Sequence, residues 1–370
     1  MNAMTRRIVI GTAAVSLAFG MAACGKAGGS DDKGSDKASS SSNGSAAKSI
    51  GLLLPENATT RYEKFDRPLI TKKINELCPD CSVEYANAAA DPAKQAQQVS
   101  TMIAKGVKVL IVDAQDSKGI KSSIQAAKDK GIKIVAYDRL AEGPIDAYVS
   151  YDNEKIGELQ GQALLDAMGS KATPSANVVM IDGDPADPNA AMFKAGAHKI
   201  LDGKVKIAYE QSGLWKGDIA NQKMTAAIQL IGKDKIAGVY SANDGMAGGV
   251  ATALKGAGIN PPLTGQDAEL DGLQRILAGT QTATIYKAYQ PEADAAAEIA
   301  VDLLQGKDFK SVADTTAKQL SGTEVPAKLL PATSVTTANI KDTVIKDGLY
   351  TAAQICTADF AAKCTAAGIS

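Results

Sequence analysis

From Ser49 onward, short apolar runs of strand length alternate with amphipathic stretches of helix length, and this alternation leaves few folds open. The first set of runs is IGLLL (50–54), SVEYANA (82–88), VKVLIVDA (107–114), IKIVAYD (132–138) and AYVSYD (147–152). The second is ANVVMID (176–182), VKIAYE (205–210), IAGVYSAND (236–244), PLTGQDA (262–268) and TATIYKAY (282–289). Between them lie segments such as 93–106, where Ala96, Val99, Met102 and Ile103 recur at helical spacing and Gly106 stands at the close. Near-continuous apolar strands that alternate with helices form parallel sheets, because the crossover helices cover both faces. Two such sets in tandem predict an α/β protein of two doubly wound parallel-sheet lobes, alike in topology and joined by a hinge.

Polar residues gather at the ends of the predicted strands. Asp138-Arg139, Asp152-Asn153, Asn243-Asp244 and Gln266-Asp267 each follow an apolar run. In doubly wound sheets ligands bind beyond the carboxyl ends of the strands. Two lobes facing one another there would enclose a cleft with polar side chains on both walls. An Asp or Asn after a strand is also an ordinary turn former or helix cap; the repetition at equivalent places favours a site.

The first 48 residues read as an address and a tether. Arg6 and Arg7 precede an apolar run, 8–23, that ends in Met21-Ala22-Ala23 before Cys24. A basic start, a short apolar stretch and small residues before a cysteine predict a lipoprotein signal with Cys24 as the lipid anchor. The run falls short of the roughly 20 residues a spanning helix needs. The Arg pair leaves both general and twin-arginine export open. Residues 25–48 carry no large apolar side chain, so a disordered linker is expected, with a mean reach of about 25–30 Å. Four cysteines remain, Cys78, Cys81, Cys356 and Cys364, and an even number in an exported chain predicts disulfides. Of the possible connectivities the local ones are favoured. Cys78-Pro79-Asp80-Cys81 lies in a helix-to-strand turn rather than at a helix start, which suits a structural role better than a redox one.

Composition closes off other classes. The net charge is −1, from 40 basic and 41 acidic residues, against the basic surface that nucleic-acid partners require. The one histidine, His198, sits in a helical stretch and reads as a surface or packing residue. This argues against a Ser-His-Asp triad or a multi-histidine zinc site. Asp182-Gly183-Asp184-Pro185-Ala186-Asp187 hints at a calcium loop but lacks the regular acidic spacing and closing Glu of an EF-hand, so no metal is expected.

The segments KGVKVLIV, GIKIVAYDRL, SYDNEKIGELQ, SANDGMAGG, TGQDAELDGLQRILAGTQTATIYK and NIKDTVIKDGLY, spread between Ile50 and Tyr350, resemble the periplasmic pentose- and hexose-binding proteins of ABC transporters, most closely the D-xylose-binding group. The resemblance implies the two-lobed type I fold and an extracytoplasmic lipoprotein on the outer face of the cytoplasmic membrane. It implies a monomer that carries a monosaccharide, D-xylose first, to permease and ATPase subunits, with no cofactor and no catalysis. A broader aldose receptor for arabinose, glucose or galactose stays open, as does a sensor feeding a chemoreceptor or kinase. By position, the resemblance places ligand contacts at Arg61, Tyr62, Asp138, Arg139, Asn189, Trp215, Asn243, Asp267 and Lys287. The sequence departs from the group's pattern at Tyr62, where Trp is usual, at Lys194, where Arg is usual, and in the loop 211–218. The implied organisation is a signal over 1–24, a linker over 25–48, an N-terminal lobe of 49–152 with 290–321, a C-terminal lobe of 153–289 with 322–350, and an extension over 351–370.

The residue types suit a sugar on physical grounds as well. A pyranose has an apolar C–H face, which Trp215 and Tyr62 can cover, and hydroxyls that each donate once and accept twice. Asp138 and Asp267 only accept, Arg61, Arg139 and Lys287 only donate, and the Asn side chains do both. Two acids against three bases keep the buried charge compensated. A glycosidase would need a carboxyl held protonated, whereas each acid here has a basic or amide neighbour. A sugar-responsive repressor would need a DNA-binding motif ahead of Ile50. No phosphate-binding loop is found, so ATP hydrolysis is assigned to a partner.

Overall fold

The computed structural model describes residues 48–369. The expected signal, Cys24 and the linker up to residue 47 lie outside them. Strand β1 (Ser49–Leu54) is buried along its whole length, and its apolar side chains alternate between two cores. It pairs in parallel with β2 (Ser82–Asn87) on one side and β3 (Val109–Val112) on the other. With β4 (Lys133–Tyr137), β5 (Ala147–Tyr151) and the later β11 (Thr315–Lys318) and β12 (Glu324–Leu330), they form a seven-stranded sheet in the order β2-β1-β3-β4-β5-β12-β11. Ile50, Leu52 and Leu54 face α1 (Arg67–Leu77) and α9 (Tyr289–Gln305); Leu53 and Val112 face α2 (Pro92–Lys105) and α3 (Lys121–Asp129). Burying each such aliphatic side chain contributes about 1.5–3 kcal/mol. Helix α2 shows why these segments are helical. Asp91 caps Ala93 N at 2.9 Å and Lys94 N at 3.1 Å, Pro92 occupies the first turn, and Gly106 closes the helix in the left-handed conformation.

The second lobe repeats the plan. Strands β6 (Asn177–Asp182), β7 (Lys206–Ser212) and β8 (Ile236–Ser241) form one parallel group; β9 (Thr264–Gln266) and β10 (Ala283–Tyr286) pair in parallel and carry β13 (Thr333–Val335) antiparallel at the edge. A bridge at Val239 and Leu263 joins them, giving the order β7-β6-β8-β9-β10-β13. Helices α4 (Asn153–Met168), α5 (Pro188–Leu201), α6 (Gly217–Ile231), α7 (Asp244–Ala257) and α8 (Leu270–Ala278) cover it. Helices α4 and α5 touch backbone to backbone: a Cβ on Gly196 would lie 1.9 Å from Glu154 O, and one on Gly157 2.0 Å from Phe193 O. The two lobes belong to one compact unit, and the chain passes between them at 151–153, 287–289 and 331–332.

The architecture matches the expected pair of doubly wound lobes, with one boundary corrected. Residues 324–330, expected in the C-terminal lobe, belong to the first, because Ala327–Leu330 pair in parallel with Tyr148–Tyr151. Strands β11, β12 and β13 escaped the sequence reading. Two of them are edge strands with mixed exposure and no apolar run.

The last segment, with α10 (Ala352–Ile355) and α11 (Ala361–Ala366), packs on the second lobe, where Ile355, Cys364 and Ile369 bury against α8. Sulfur bridges join Cys78 to Cys81 and Cys356 to Cys364. Cys78 caps the end of α1, not the start of a helix. Closing the eight-residue separation of the second bridge constrains the unfolded chain by about 2–3 kcal/mol. Cys356→Ser with Cys364→Ser is expected to lower unfolding stability by that order in urea titrations, and an unchanged midpoint would show that apolar packing alone holds the segment.

Candidate functional site

All nine side chains singled out from the sequence border one narrow cavity between the lobes. The topology puts them there. Arg61 and Tyr62 follow β1, and Asp138-Arg139 follow β4; Asn189 opens α5 after β6, and Trp215 lies between β7 and α6. Asn243 follows β8, Asp267 follows β9 and Lys287 follows β10. Each stands beyond a strand's carboxyl end, and the two sheets aim those ends at each other.

The first-lobe wall is built on buried charge. Arg61 donates from Nε to Asp66 at 2.8 Å, from Nη1 to Asp138 Oδ1 at 3.0 Å and from Nη2 to Glu292 Oε2 at 2.5 Å. Tyr137 donates its hydroxyl to Asp66 at 2.8 Å. Three carboxylates on one guanidinium cannot all remain ionised out of water. Burial pushes the Glu292 carboxyl up to about 8; Arg61 opposes the shift, but Asp138 and Asp66 reinforce it. Asp138 goes the other way: burial alone would raise it, yet Arg61, Lys287 and Arg139 hold it below the usual range. Asp138 therefore presents a carboxylate to the cavity. Arg139 donates from Nη2 to the Tyr62 hydroxyl at 3.1 Å and lies between Asp187 and Asp113.

The second-lobe wall pairs amides and one ion pair with aromatic rings. Lys287 Nζ lies 2.9 Å from Asp267 Oδ1. Asn243 caps α7 through Oδ1, which accepts from Met246 N at 2.9 Å, leaving its Nδ2 toward the cavity. Trp215 packs edge-on to Phe193 with centroids 6.4 Å apart, and its ring lies flat enough on Gly183 that a Cβ there would come within 2.0 Å of Cζ2. The Trp215 Nε1 and Gln266 Oε1 atoms are buried without a protein partner. Asn189 is largely committed: Nδ2 donates to Asp138 O at 3.1 Å, and Oδ1 accepts from Asn153 at 3.0 Å.

Backbone strain collects at the same place. Asp138 (φ 53°), Trp215 (φ 58°) and Asp267 (φ 94°) are left-handed without being glycine, as are their neighbours Leu214 and Ala268. Such conformations cost of order 1–3 kcal/mol each and persist where the surroundings over-determine them.

The four strand-end pairs divide their labour. Asp138-Arg139 and Gln266-Asp267 line the cavity through both members. Asp244 lies beneath Asn243 and accepts from Gln281 at 2.6 Å and Thr284 at 2.7 Å. Asp152 caps α4, and Asn153 supports Asn189. Lys194, expected as a departure from the ligand pattern, points away and pairs with Glu210 at 2.7 Å; its neighbour Phe193 lines the cavity instead. His198 also binds Glu210, at 2.9 Å, on the face of α5.

The expected balance of two acids against three bases is too small. Asp66, Asp113, Asp187 and Glu292 are buried beside the same cations. Asp113, at the end of VLIVDA, carried the same strand-end signal as Asp138. Glu292 gave none, because it lies in the first turn of a helix remote in sequence.

Among the described residues no histidine lines the cavity, and its charges are mutually compensated. Such a cavity holds a small polar solute between two lobes, as solute-binding proteins do. Residues 50–308 match the periplasmic binding protein domain, and the chain belongs to that family, among its sugar-binding members. It is 39% identical over 311 residues to the D-xylose-binding periplasmic protein of Escherichia coli, covering 81% of this chain and 90% of that protein. It is 33% identical to the multiple sugar-binding periplasmic protein SbpA of Azospirillum brasilense, covering 82% of this chain and 90% of that one. Among solved structures, an ABC transporter solute-binding protein of Clostridium phytofermentans with bound β-D-glucose superposes with a TM-score of 0.76 at 26% identity, covering 83% of this chain and all of that one. Proteins of this kind are transport components rather than enzymes.

The raised Glu292 carboxyl has a consequence for stability. Its folded pKa, about 8, lies above the ordinary 4.5, so its contribution is full below pH 4.5 and is lost as pH rises through about 8. Thermal melts between about pH 5 and 9 should therefore show a steeper loss for wild type than for Glu292→Gln. Parallel slopes would mean that Glu292 ionises normally beside Arg61.

Proposed function

We propose that this chain is the receptor of an ABC sugar importer, anchored through lipid on Cys24 at the outer face of the cytoplasmic membrane, and that it closes on a monosaccharide, with D-xylose preferred. The supporting observation is the division of the cavity wall into groups that only accept and groups that only donate, opposite an aromatic pair. Asp138 and Asp267 can each accept from sugar hydroxyls, Arg61, Arg139 and Lys287 can donate to them, and Asn243 can donate through Nδ2. Trp215 offers an apolar ring face to the C–H face of a pyranose, with Phe193 set edge-on beside it. The closed sugar-bound receptor then docks on a permease whose ATPase partner drives import.

Xylose is preferred because the identity to a D-xylose-binding relative is the higher of the two reported. A broader aldose receptor is the second reading, favoured by the relation to a multiple sugar-binding protein. A thermal-shift panel of aldoses separates them, since binding to the folded state raises its stability. Xylose should give the largest shift. Equal shifts with arabinose, glucose and galactose would support the broader receptor, and no shift with any aldose would overturn both readings. The anchor is tested apart: Cys24→Ala should move the protein from the membrane fraction to the soluble one.

The wall residues make a sharper test. Asp267→Asn keeps the shape but removes charge-assisted hydrogen bonds of about 1.5–3 kcal/mol each, a loss of roughly 10- to 150-fold in affinity per bond. Trp215→Ala removes the stacking face, with a loss of similar order. Calorimetric titration with xylose measures both, and melts of the sugar-free variants check folding. Wild-type affinity in both variants would place the site elsewhere.

A further inference from the structure

Beside the cavity, adjacent groups of one second-lobe segment reach across the cleft to the first lobe. Ala186 O accepts from Ser117 N at 3.3 Å, Asp187 Oδ2 lies 3.0 Å from Arg139 Nε, and Asn189 Nδ2 donates to Asp138 O at 3.1 Å. The segment is held rigid for this. Asp187 caps α5, with Oδ1 accepting from Asn189 N at 2.8 Å, so its second oxygen is free for Arg139. These contacts join protein groups at the rim of the sugar cavity, which the same side chains also line.

Arg139 has a second suitor. Asp113, at the exit of β3 in its own lobe, approaches the same Nε at 3.5 Å, is fully buried, and has no hydrogen-bond partner on either carboxyl oxygen. Asp113 and Arg139 belong to one sheet and stay together whatever the cleft does. Asp187 belongs to the other lobe and departs when the cleft opens.

We propose that residues 186–189 form an interlobe latch in which Asp187 competes with Asp113 for Arg139, so that closing the cleft takes up a proton. Asp187 and Asp113 are then positioning residues that act through Arg139. The proposal deepens the receptor reading and rests on it for the existence of an open state. In the open cleft one guanidinium faces one carboxylate. Closure brings a second carboxylate to that cation and removes both from water, and two acids cannot cheaply share one cation there. Burial raises both carboxyls, that of Asp187 to about 6 and that of Asp113 well above the ordinary carboxylate range. The other groups facing the pair are Asp138, which raises both, Arg61, which lowers Asp113, and Lys287, which lowers Asp187; the Tyr62 hydroxyl meets Arg139 from the far side. A group whose protonation accompanies closure makes the closed form more populated at lower pH.

Small-angle scattering of the full chain without sugar tests the latch directly. Wild type should be more compact near pH 6 than near pH 8. Asp187→Asn, which keeps the cap on α5, should be more open than wild type at both, and Asp113→Asn should stay compact and lose the pH dependence. Equal radii for wild type and Asp187→Asn would overturn the latch, and a pH dependence retained in Asp113→Asn would overturn the competition. Melting curves at each pH confirm that the variants compared are folded. Xylose affinity should fall roughly 10-fold or more in Asp187→Asn, in line with one lost charge-assisted contact. Because the scattering needs no sugar, a wild type that binds no aldose would sink the receptor reading while leaving the latch to be judged on its own result.

Discussion

Arg61 carries a positive charge at a point with almost no access to water, and the geometry of the cavity follows from how that charge is met. Its partners come from three places: Asp66 from the turn that follows it, Asp138 from the exit of β4, and Glu292 from the first turn of α9. The Tyr289 ring lies 4.7 Å from the guanidinium and adds a cation–π contact. A buried ion cluster is a poor source of net stability, since desolvation consumes most of the Coulombic gain. It is a demanding source of geometry, because every donor of a planar guanidinium must find an acceptor in a fixed direction. Helix α9, which arrives from the far end of the second lobe's sheet, is thereby keyed to the first lobe. Asp138 is held ionised and aimed at the cavity.

The backbone shows the same division between rigidity and strain. Asp138 takes a left-handed conformation at the exit of β4, and its carbonyl is then clasped by the Tyr148 hydroxyl at 2.9 Å, the Ser150 hydroxyl at 2.7 Å and Asn189 at 3.1 Å. Asp267 is strained at the exit of β9, and the Tyr289 hydroxyl holds its carbonyl at 2.8 Å. In both cases a carboxylate projects into the cleft from a backbone that would relax if its clasp were removed. That is how a binding wall is pre-organised without the flexible loops that would cost entropy on binding.

Much of this was legible in the sequence because the determinants are local. A run such as VKVLIVDA announces a buried parallel strand through its composition, and the polar pair after a strand announces the ligand edge through topology. The lobe plan and the nine cavity residues needed only these signals and a family resemblance. The failures were non-local. Strand β12 has an ordinary half-apolar pattern, and only its pairing with β5 assigns it to the first lobe. Glu292 and Asp66 look like any acids on helix surfaces until the fold brings Arg61 between them. Lys194 occupied the expected position by alignment, yet its helical phase turns it to Glu210 and gives the cavity to Phe193. Charge balance in a buried site is a sum over elements far apart in the chain, so no window of sequence contains it.

The contact between α4 and α5 carries this reasoning to the hinge. Gly157 and Gly196 let the two helix backbones meet, with no room for a Cβ on either side. Helix α4 begins at Asn153, immediately after the first crossing between lobes, and Asn153 bonds both Ser150 of the first lobe and Asn189 of α5. Helix α5 carries Asp187 as its cap and Phe193 on the face turned to Trp215. A rotation at the first crossing therefore moves α4, and α4 cannot move without α5, because close-packed backbones do not slide independently. The polar cap and Phe193 in this way ride on one rigid pair of helices, so a rotation at the crossing would carry both together.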